Sequence, residues 1–206
     1  MAKIKIMLDS GAAMPTRATD GSVGYDVKCV KLSLMHENGA ETICETPDQI
    51  RNTLYNGRIS YLKIDTGIHV TPEDGYYVEL VPNSRQGKTS ICWNASIGVI
   101  DVDYIGSIKI LAATTLKEWN PDVVSKLLPG NVVGQLIIRP KIDAEWELTD
   151  KLDKTERGDG GFGSTAETCE NCQHHYEQHI HGSTFHEGCS LDKTQPCSSF
   201  RRKIHE

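Results

Sequence analysis

The stretch ASIGVIDVDYIG at residues 95–106 is an apolar run that ends in carboxylates. Four further short stretches are rich in β-branched or aromatic residues: KIKIML at 3–8, YYVELV at 76–81, SIKILAA at 107–113 and VVGQLII at 132–138. Turn-forming residues bound these stretches, which is the pattern of strands in a barrel or sandwich. The sequence has no alternation of strands with long helices, which argues against Rossmann-type and P-loop folds.

One short helix is predicted inside a polar insert at residues 36–60. The sequence T-P-D-Q at residues 46–49 has the pattern of a capping box with proline at the first helical position. Ile50 and Leu54 lie one turn apart, and Gly57 is expected to end the helix.

Composition excludes several classes of protein. The 206 residues are 38% hydrophobic and 24% charged, which is typical of a soluble globular chain. The net charge of −6 comes without a long basic run, so a broad nucleic-acid face is not expected. Residues 1–15 lack the apolar core of a signal peptide, and no stretch reaches the ~20 apolar residues of a membrane span. A cytoplasmic location is therefore expected.

The chain is predicted to have three parts: an all-β domain at residues 1–150, a polar Gly-rich arm at 151–168 that orders on a ligand, and a Cys/His-rich tail at 169–206. Four tail cysteines are candidate ligands of a structural Zn²⁺: Cys169, Cys172, Cys189 and Cys197. Alternatives are a histidine in place of one cysteine, a disordered tail, or a redox disulfide.

The arm contains the strongest chemical signal, RGDGGFGST at residues 157–165. Its glycines allow the backbone to approach a ligand closely. Arg157 can bind phosphate oxygens, Phe162 can cover a base, and Ser164 and Thr165 can contact anionic oxygens. The alternative is a linker that binds nothing.

Within residues 95–106, Asp101 stands at the end of an expected buried hairpin, where it can act as a base on water. Tyr104 can pack under a sugar ring. The alternative is a hairpin whose surface carboxylates only form its turn.

Three other segments supply polar groups next to predicted strands. Asp26 in GSVGYDV can hold Mg²⁺ through water. Ser84 and Arg85 in VPNSRQGK offer a phosphate site, and Gln135 is the one polar group in the strand PGNVVGQLII. The alternatives are an N-terminal turn, a polar loop and an amide that bonds the backbone.

Taken in order, these five segments resemble the five motifs of the trimeric dUTPases across residues 3–166. The resemblance implies a jelly-roll-like β-barrel that assembles as a homotrimer, with each active site drawn from three subunits. It also implies Mg²⁺-assisted hydrolysis of dUTP to dUMP and pyrophosphate, which keeps uracil out of DNA and supplies dUMP for thymidylate synthesis.

By the same resemblance, Asp101 is the base, Asp26 places Mg²⁺ and Gln135 acts near the α-phosphate. The residues implied to bind substrate are Ser84, Arg85, Ala95, Ile97, Gly98, Ile100, Tyr104, Arg157, Phe162, Gly163, Ser164 and Thr165.

The sequence departs from the family pattern at the second motif, where Pro82-Asn83-Ser84 replaces Pro-Arg-Ser and Arg85 follows. Ala166 replaces the usual final glycine of the fifth motif, and the insert at 36–60 is long. Two alternatives to the dUTP hydrolase are a binding or regulatory protein with partner contacts through the insert or tail, which could include nucleic acid, and a dCTP deaminase.

Overall fold

The computed structural model describes residues 2–155 and 157–159. The chain divides into two compact units, Met1–Glu145 and Trp146–Glu206. The strands of the described residues are β1 (Ile4–Leu8), β2 (Tyr25–Lys28), β3 (Lys31–His36), β4 (Glu41–Cys44), β5 (Ile59–Asp65), β6 (Ile68–Pro72), β7 (Tyr76–Val81), β8 (Ile91–Trp93), β9 (Gly98–Ile100), β10 (Lys109–Thr114) and β11 (Val132–Pro140). All of them lie in the first unit.

The strands form three antiparallel sheets. Five strands pair in the order β4-β3-β5-β10-β8, four in the order β2-β11-β7-β9, and β1 pairs with β6. Strands distant in sequence are therefore neighbours, as in a jelly roll. The predicted all-β, jelly-roll-like fold is confirmed.

The core of the first unit follows from the two-residue period of its strands. In β5, Leu62 and Ile64 are buried, whereas Lys63 between them is partly exposed. The same alternation in β7 buries Val78 and Leu80. Full burial of such an aliphatic side chain contributes ~1.5–3 kcal/mol, so these positions hold the sheets together.

Helix α1 spans Pro47–Asn56, as the capping pattern predicts. The hydroxyl of Thr46 accepts a hydrogen bond from the Gln49 amide at 3.3 Å, and the Gln49 side chain accepts one from the Thr46 amide at 3.0 Å. Ile50 is fully buried, which anchors the helix to the core, and Gly57 follows its last turn.

A second helix, α2 (Pro121–Val124), was not predicted, since only one short helix was expected. The sequence did contain its signal, because Asn120 is a favoured N-cap residue and is followed by a proline at the first helical position. In the structure, the Asn120 side chain accepts hydrogen bonds from the amides of Asp122 and Val123. Arg51 of α1 pairs with Asp122 at 3.1 Å. Neither helix in the described part of the chain has the length and apolarity needed to span a bilayer.

The buried hairpin expected at residues 95–104 is not formed. Strand β8 pairs with β10 in the five-stranded sheet, whereas β9 pairs with β7 in the four-stranded sheet. Residues 94–97 cross between the two sheets, and Ile97 and Val99 are more than half exposed. The prediction failed because strand pairing is decided by distant parts of the chain.

Candidate active site

Three of the polar segments meet on one face of the four-stranded sheet. Gln135 of β11 is the cross-strand partner of Asp26 on one side and of Val81 on the other. These three residues are partly exposed, whereas Val27 and Leu136 next to them are buried. The predicted Mg²⁺ carboxylate and the predicted amide therefore lie side by side on the face away from the core.

The Gln135 side chain is held by both neighbouring segments. Its Nε2 donates a hydrogen bond to the carbonyl oxygen of Pro82 at 3.2 Å. Its Oε1 lies against Gly24, where an added Cβ would stand only 1.9 Å from that oxygen. Gly24 is thus the residue that leaves room for the amide, a role that sequence reasoning missed.

Asp26 is fixed through its backbone. Its amide donates to the carbonyl of Thr16 at 2.7 Å, and its carbonyl accepts from the Thr16 amide at 3.3 Å. No group of three or more metal-ligating side chains occurs in residues 2–155 and 157–159. A single partly exposed carboxylate fits Mg²⁺, which keeps several waters and binds through one or two carboxylates plus substrate phosphates.

The loop after β7 presents Ser84 and Arg85 as exposed residues. The Asn83 side-chain oxygen accepts a hydrogen bond from the Arg85 amide at 3.1 Å, and its carbonyl accepts one from the Gln86 amide at 3.0 Å. Asn83 therefore holds the bend that leads into the short 3₁₀ turn Gln86–Lys88. Gln86 is buried and donates to the Val133 carbonyl at 3.1 Å, which ties this loop to β11. Asn83 thus has a local structural use at the position where the family pattern has arginine.

Asp101 follows β9 and lines an open depression of about 460 Å³. The other lining residues are Tyr77, Val99, Val102, Asp103, Lys141 and Ile142. Among the other residues of this segment, Gly98 pairs with Leu80 of β7, and Ile100 pairs with Val78. Ala95 and Ile97 precede the strand and are exposed.

Tyr104 is fixed against its own turn. Its hydroxyl donates to the Ser107 carbonyl at 2.9 Å, and its amide donates to the Asp101 carbonyl at 3.1 Å. The ring lies over Gly106, where an added Cβ would stand 2.4 Å from the Tyr104 hydroxyl. Tyr104 is nevertheless 43% exposed, so part of the residue remains accessible to solvent.

Tyr77 and Lys141, which line the depression, each contact a carboxylate. The Tyr77 hydroxyl donates to Glu79 at 2.7 Å, and Arg139 pairs with Glu79 at 2.9 Å. These two contacts, the tyrosine bond first, lower the pKa of the Glu79 carboxyl. A hydrogen bond to Asp143 raises the pKa of Lys141. Glu79 therefore stays ionised, with its charge matched by arginine.

Among the predicted arm and zinc residues, the described part of the chain includes only Arg157. Arg157 is exposed and belongs to the second unit. The remaining predicted arm and zinc residues lie outside the described residues: Phe162, Gly163, Ser164, Thr165, Cys169, Cys172, Cys189 and Cys197.

Comparison with known proteins agrees with this fold. The dUTPase family model matches residues 50–166. The deoxyuridine 5'-triphosphate nucleotidohydrolase of Psychrobacter cryohalolentis is 31% identical over 148 residues, which cover 70% of this chain and 79% of the relative. The enzyme of the same name from Paraburkholderia phymatum is 31% identical over 143 residues, which cover 68% of this chain and 80% of the relative.

Solved structures show the same fold. A mutant dUTPase of Staphylococcus bacteriophage 80alpha with dUpNHpp superposes with a TM-score of 0.57 at 21% identity, covering 79% of this chain and 98% of that chain. A mutant dUTPase of phage phi11 of S. aureus, described as coordinating a structural Mg(II) ion, superposes with a TM-score of 0.53 at 18% identity, covering 74% and 99%. From the family match and these relatives, the chain belongs to the dUTPase family.

Proposed function

We propose that this protein hydrolyses dUTP to dUMP and pyrophosphate with the help of Mg²⁺. The observation that carries the proposal is the meeting of Asp26, Gln135 and the Pro82 carbonyl on one sheet face, in a chain of the dUTPase family. Its relatives bear the name deoxyuridine 5'-triphosphate nucleotidohydrolase. The reaction keeps uracil out of DNA and supplies dUMP for thymidylate synthesis, and we place it in the cytoplasm.

In the proposed reaction, Asp101 accepts a proton from the water that attacks the α-phosphorus. The bond from that phosphorus to the bridging oxygen breaks, and pyrophosphate leaves. An exposed aspartate at a depression has the access to water that a general base needs. Hydrolysis in ¹⁸O-labelled water is expected to place the label in dUMP, whereas label in pyrophosphate would contradict attack at the α-phosphorus.

Phosphate binding is assigned to neutral and cationic groups of the motif segments. Gln135 contacts the α-phosphate region, Ser84 the oxygen between the α- and β-phosphates, and Arg157 the γ-phosphate. Arg85, exposed and with its amide bonded to the Asn83 side chain, supplies positive charge in place of the missing motif arginine. Asp26 would hold Mg²⁺ through its water shell, and the ion supplies neutralisation of phosphate charge when bound.

Base and sugar are assigned to the segment around β9 and to the arm. Backbone groups of residues 95–100 bind uracil, and Phe162 covers it, with Gly163, Ser164 and Thr165 closing on the phosphates. Tyr104 packs against deoxyribose and excludes a 2′-hydroxyl. The anchored hydroxyl and the partial exposure of Tyr104 support this role.

The proposed assembly is a homotrimer. Val99 and Ile142 at the depression are 59% and 84% exposed, and large exposed apolar side chains mark surfaces that are buried in an assembly. Light scattering coupled to gel filtration is expected to give three times the 22.8 kDa chain mass. A monomer mass at working concentration would contradict this part of the proposal.

For the tail we propose a structural Zn²⁺ site at the four cysteines and a contact with a protein or nucleic-acid partner. Zinc measured by mass spectrometry is expected in the full chain and absent after deletion of residues 169–206. Deletion is also expected to spare dUTP hydrolysis while losing partner binding. Absence of zinc from the full chain, purified without chelator, would contradict the metal site.

The substrate is tested by pyrophosphate release from dUTP, dTTP, dCTP and UTP in the presence of Mg²⁺. Release from dUTP alone is expected, and chelation by EDTA is expected to stop it until Mg²⁺ is restored. Ammonia release from dCTP would instead indicate a deaminase. Absence of turnover with all four nucleotides would refute the proposed function.

A further inference from the structure

His69 joins two parts of the chain next to the candidate site. It lies on β6, and its Nδ1 is 2.8 Å from the carbonyl oxygen of Ile105. Its Nε2 is 3.2 Å from a carboxylate oxygen of Asp9, just after β1. The imidazole is largely enclosed, with 17% of the side chain exposed. One ring thus bridges the end of β1 and the residue that follows Tyr104.

Both partners of the ring are oxygen atoms that accept hydrogen bonds. A carbonyl oxygen carries no proton, and an ionised carboxylate only accepts. Both contacts are satisfied together only when the imidazole carries a proton on each nitrogen, that is, as imidazolium. A neutral ring must give up one of the two bonds.

The surroundings favour that charged form. The hydrogen bond to the Ile105 carbonyl is the largest cause of a raised pKa for His69, and Asp9 raises it further. Partial burial and the Lys109 ammonium act in the opposite direction. The effect of Lys109 is limited because it pairs with Asp65 at 3.4 Å.

Ile105 needs such a partner because its own side chain does not anchor it. That side chain is 77% exposed, so it contributes little burial. The segment from Asp101 to Ser107 is held instead by polar contacts, which include the Tyr104 hydroxyl on the Ser107 carbonyl, the Ser107 hydroxyl on the Asp65 carboxylate and the His69 ring on the Ile105 carbonyl. A change at His69 is therefore transmitted directly to the residue beside Tyr104.

We infer that His69 is a positioning residue for the proposed dUTP hydrolysis: as an imidazolium bridging Asp9 and the Ile105 carbonyl, it holds the Asp101–Tyr104 segment in place. This inference rests on the proposed function. His69 acts through Tyr104 and Asp101 and touches no substrate. It sets how firmly the sugar-facing ring is held and thereby the preference for dUTP over UTP.

Three substitutions of His69 test its bonds to the Ile105 carbonyl and to Asp9 separately. His69→Asn retains a donor at the position of Nδ1 and cannot titrate, His69→Gln retains one at the position of Nε2, and His69→Ala removes both. We expect His69→Ala and His69→Gln to lower the dUTP-to-UTP ratio of kcat/KM about tenfold, as for loss of a charge-assisted hydrogen bond. His69→Asn is expected to retain most of the wild-type dUTP-to-UTP ratio. His36→Asn is the matched control, because His36 bonds Thr42 in a different sheet.

The pH profile provides a readout that a merely structural residue would not change. Above the pKa of His69, the one remaining ring proton is expected on Nε2, because the Asp9 carboxylate is a stronger acceptor than a carbonyl oxygen, so the bond to the Ile105 carbonyl is lost. In the wild type, the dUTP-to-UTP ratio is therefore expected to fall as pH rises through that pKa. In His69→Asn, which keeps the donor to Ile105 at every pH, this fall is expected to be absent. A ratio that is the same in folded wild type, His69→Ala and His69→Gln at every pH would overturn the inference. If His69→Ala does not fold, the comparison of His69→Asn with His69→Gln decides it.

Nuclear magnetic resonance separates this inference from the proposed function. In the wild type, the His69 ring is expected to titrate above the ordinary histidine range, and the amides of residues 104–106 are expected to shift with the same midpoint. Asp9→Asn is expected to lower that midpoint. Amides that do not follow His69 would overturn the positioning role. If the wild type releases no pyrophosphate from dUTP, only the proposed function is refuted. The titration would still show whether His69 bridges Asp9 and the Ile105 carbonyl.

Discussion

Replacing Gly24 with alanine places a methyl group against the carboxamide of Gln135. The added Cβ would stand 1.9 Å from the Gln135 Oε1 and 2.6 Å from its Cδ, whereas nonbonded heavy atoms meet at ~3.5 Å. Gly24 does not have the positive φ that alanine avoids. The backbone therefore accepts the change, and the Gln135 amide has to move.

The expected effect is large on catalysis and small on stability. Moving the amide breaks its 3.2 Å hydrogen bond to the Pro82 carbonyl, which costs about 1 kcal/mol in folding free energy. A group that contacts the α-phosphate and is displaced by ~1 Å costs about 100-fold in rate. Gly24→Ala is thus expected to lower kcat/KM for dUTP by about 100-fold while the protein remains folded.

The assay compares pyrophosphate release by Gly24→Ala with that of Gly21→Ala, a matched control in the same segment with nothing within 4 Å of the added Cβ. Gly21→Ala is expected to keep wild-type activity. If Gly24 acts through Gln135, the double variant Gly24→Ala/Gln135→Ala should be no slower than Gln135→Ala alone. Wild-type kcat/KM in Gly24→Ala, or fully additive losses, would refute this account of the site.

Gly106→Ala would place a Cβ 2.4 Å from the Tyr104 hydroxyl, so kinetics with both nucleotides are expected to show about a tenfold loss in preference for dUTP over UTP. Thr46→Ala removes the capping box of α1 and is expected to cost about 1 kcal/mol in urea unfolding with no change in activity. Because the folded-state pKa of His69 is raised, its stabilising effect is complete below the ordinary histidine pKa of ~6.5. This stabilisation is lost as pH rises through the raised pKa of His69. The free energy of unfolding of His69→Asn should not fall in this way.

Local patterns were sufficient to predict much of the fold. Runs of β-branched or aromatic residues bounded by turn-forming residues predicted the strands at 3–8 and 76–81, and the structure has them at Ile4–Leu8 and Tyr76–Val81. The T-P-D-Q box predicted the start of α1 because capping involves only residues three apart. These elements depend on near neighbours, which is why sequence alone was enough.

Contacts between distant residues could not be predicted in the same way. The pairing of β8 and β9 with different sheets depends on β10 and β7, so the expected hairpin was wrong. Gly24 and Gln135 are 111 positions apart, and His69 and Ile105 are 36 apart. No local pattern relates such residues, because their contact arises only when the sheets form.

The resemblance to the five motifs indicated the site residues but not how each is held. The structure brings Asp26 next to Gln135 and places Asp101 at a depression. It also shows that the Asn83 side chain bonds the Arg85 amide, a local role that the missing motif arginine did not suggest.

The most direct test of the central claim is pyrophosphate release from dUTP with Mg²⁺, measured for wild type, Asp101→Asn and Asp103→Asn. Both carboxylates line the same depression, two residues apart. Each substitution therefore removes one negative charge from the same place, but only Asp101→Asn removes the proposed general base. We predict release by the wild type, a loss of about 10²–10⁴-fold in Asp101→Asn, and near wild-type release by Asp103→Asn. Equal activity of the two variants, or a wild type that leaves dUTP intact, would contradict the account.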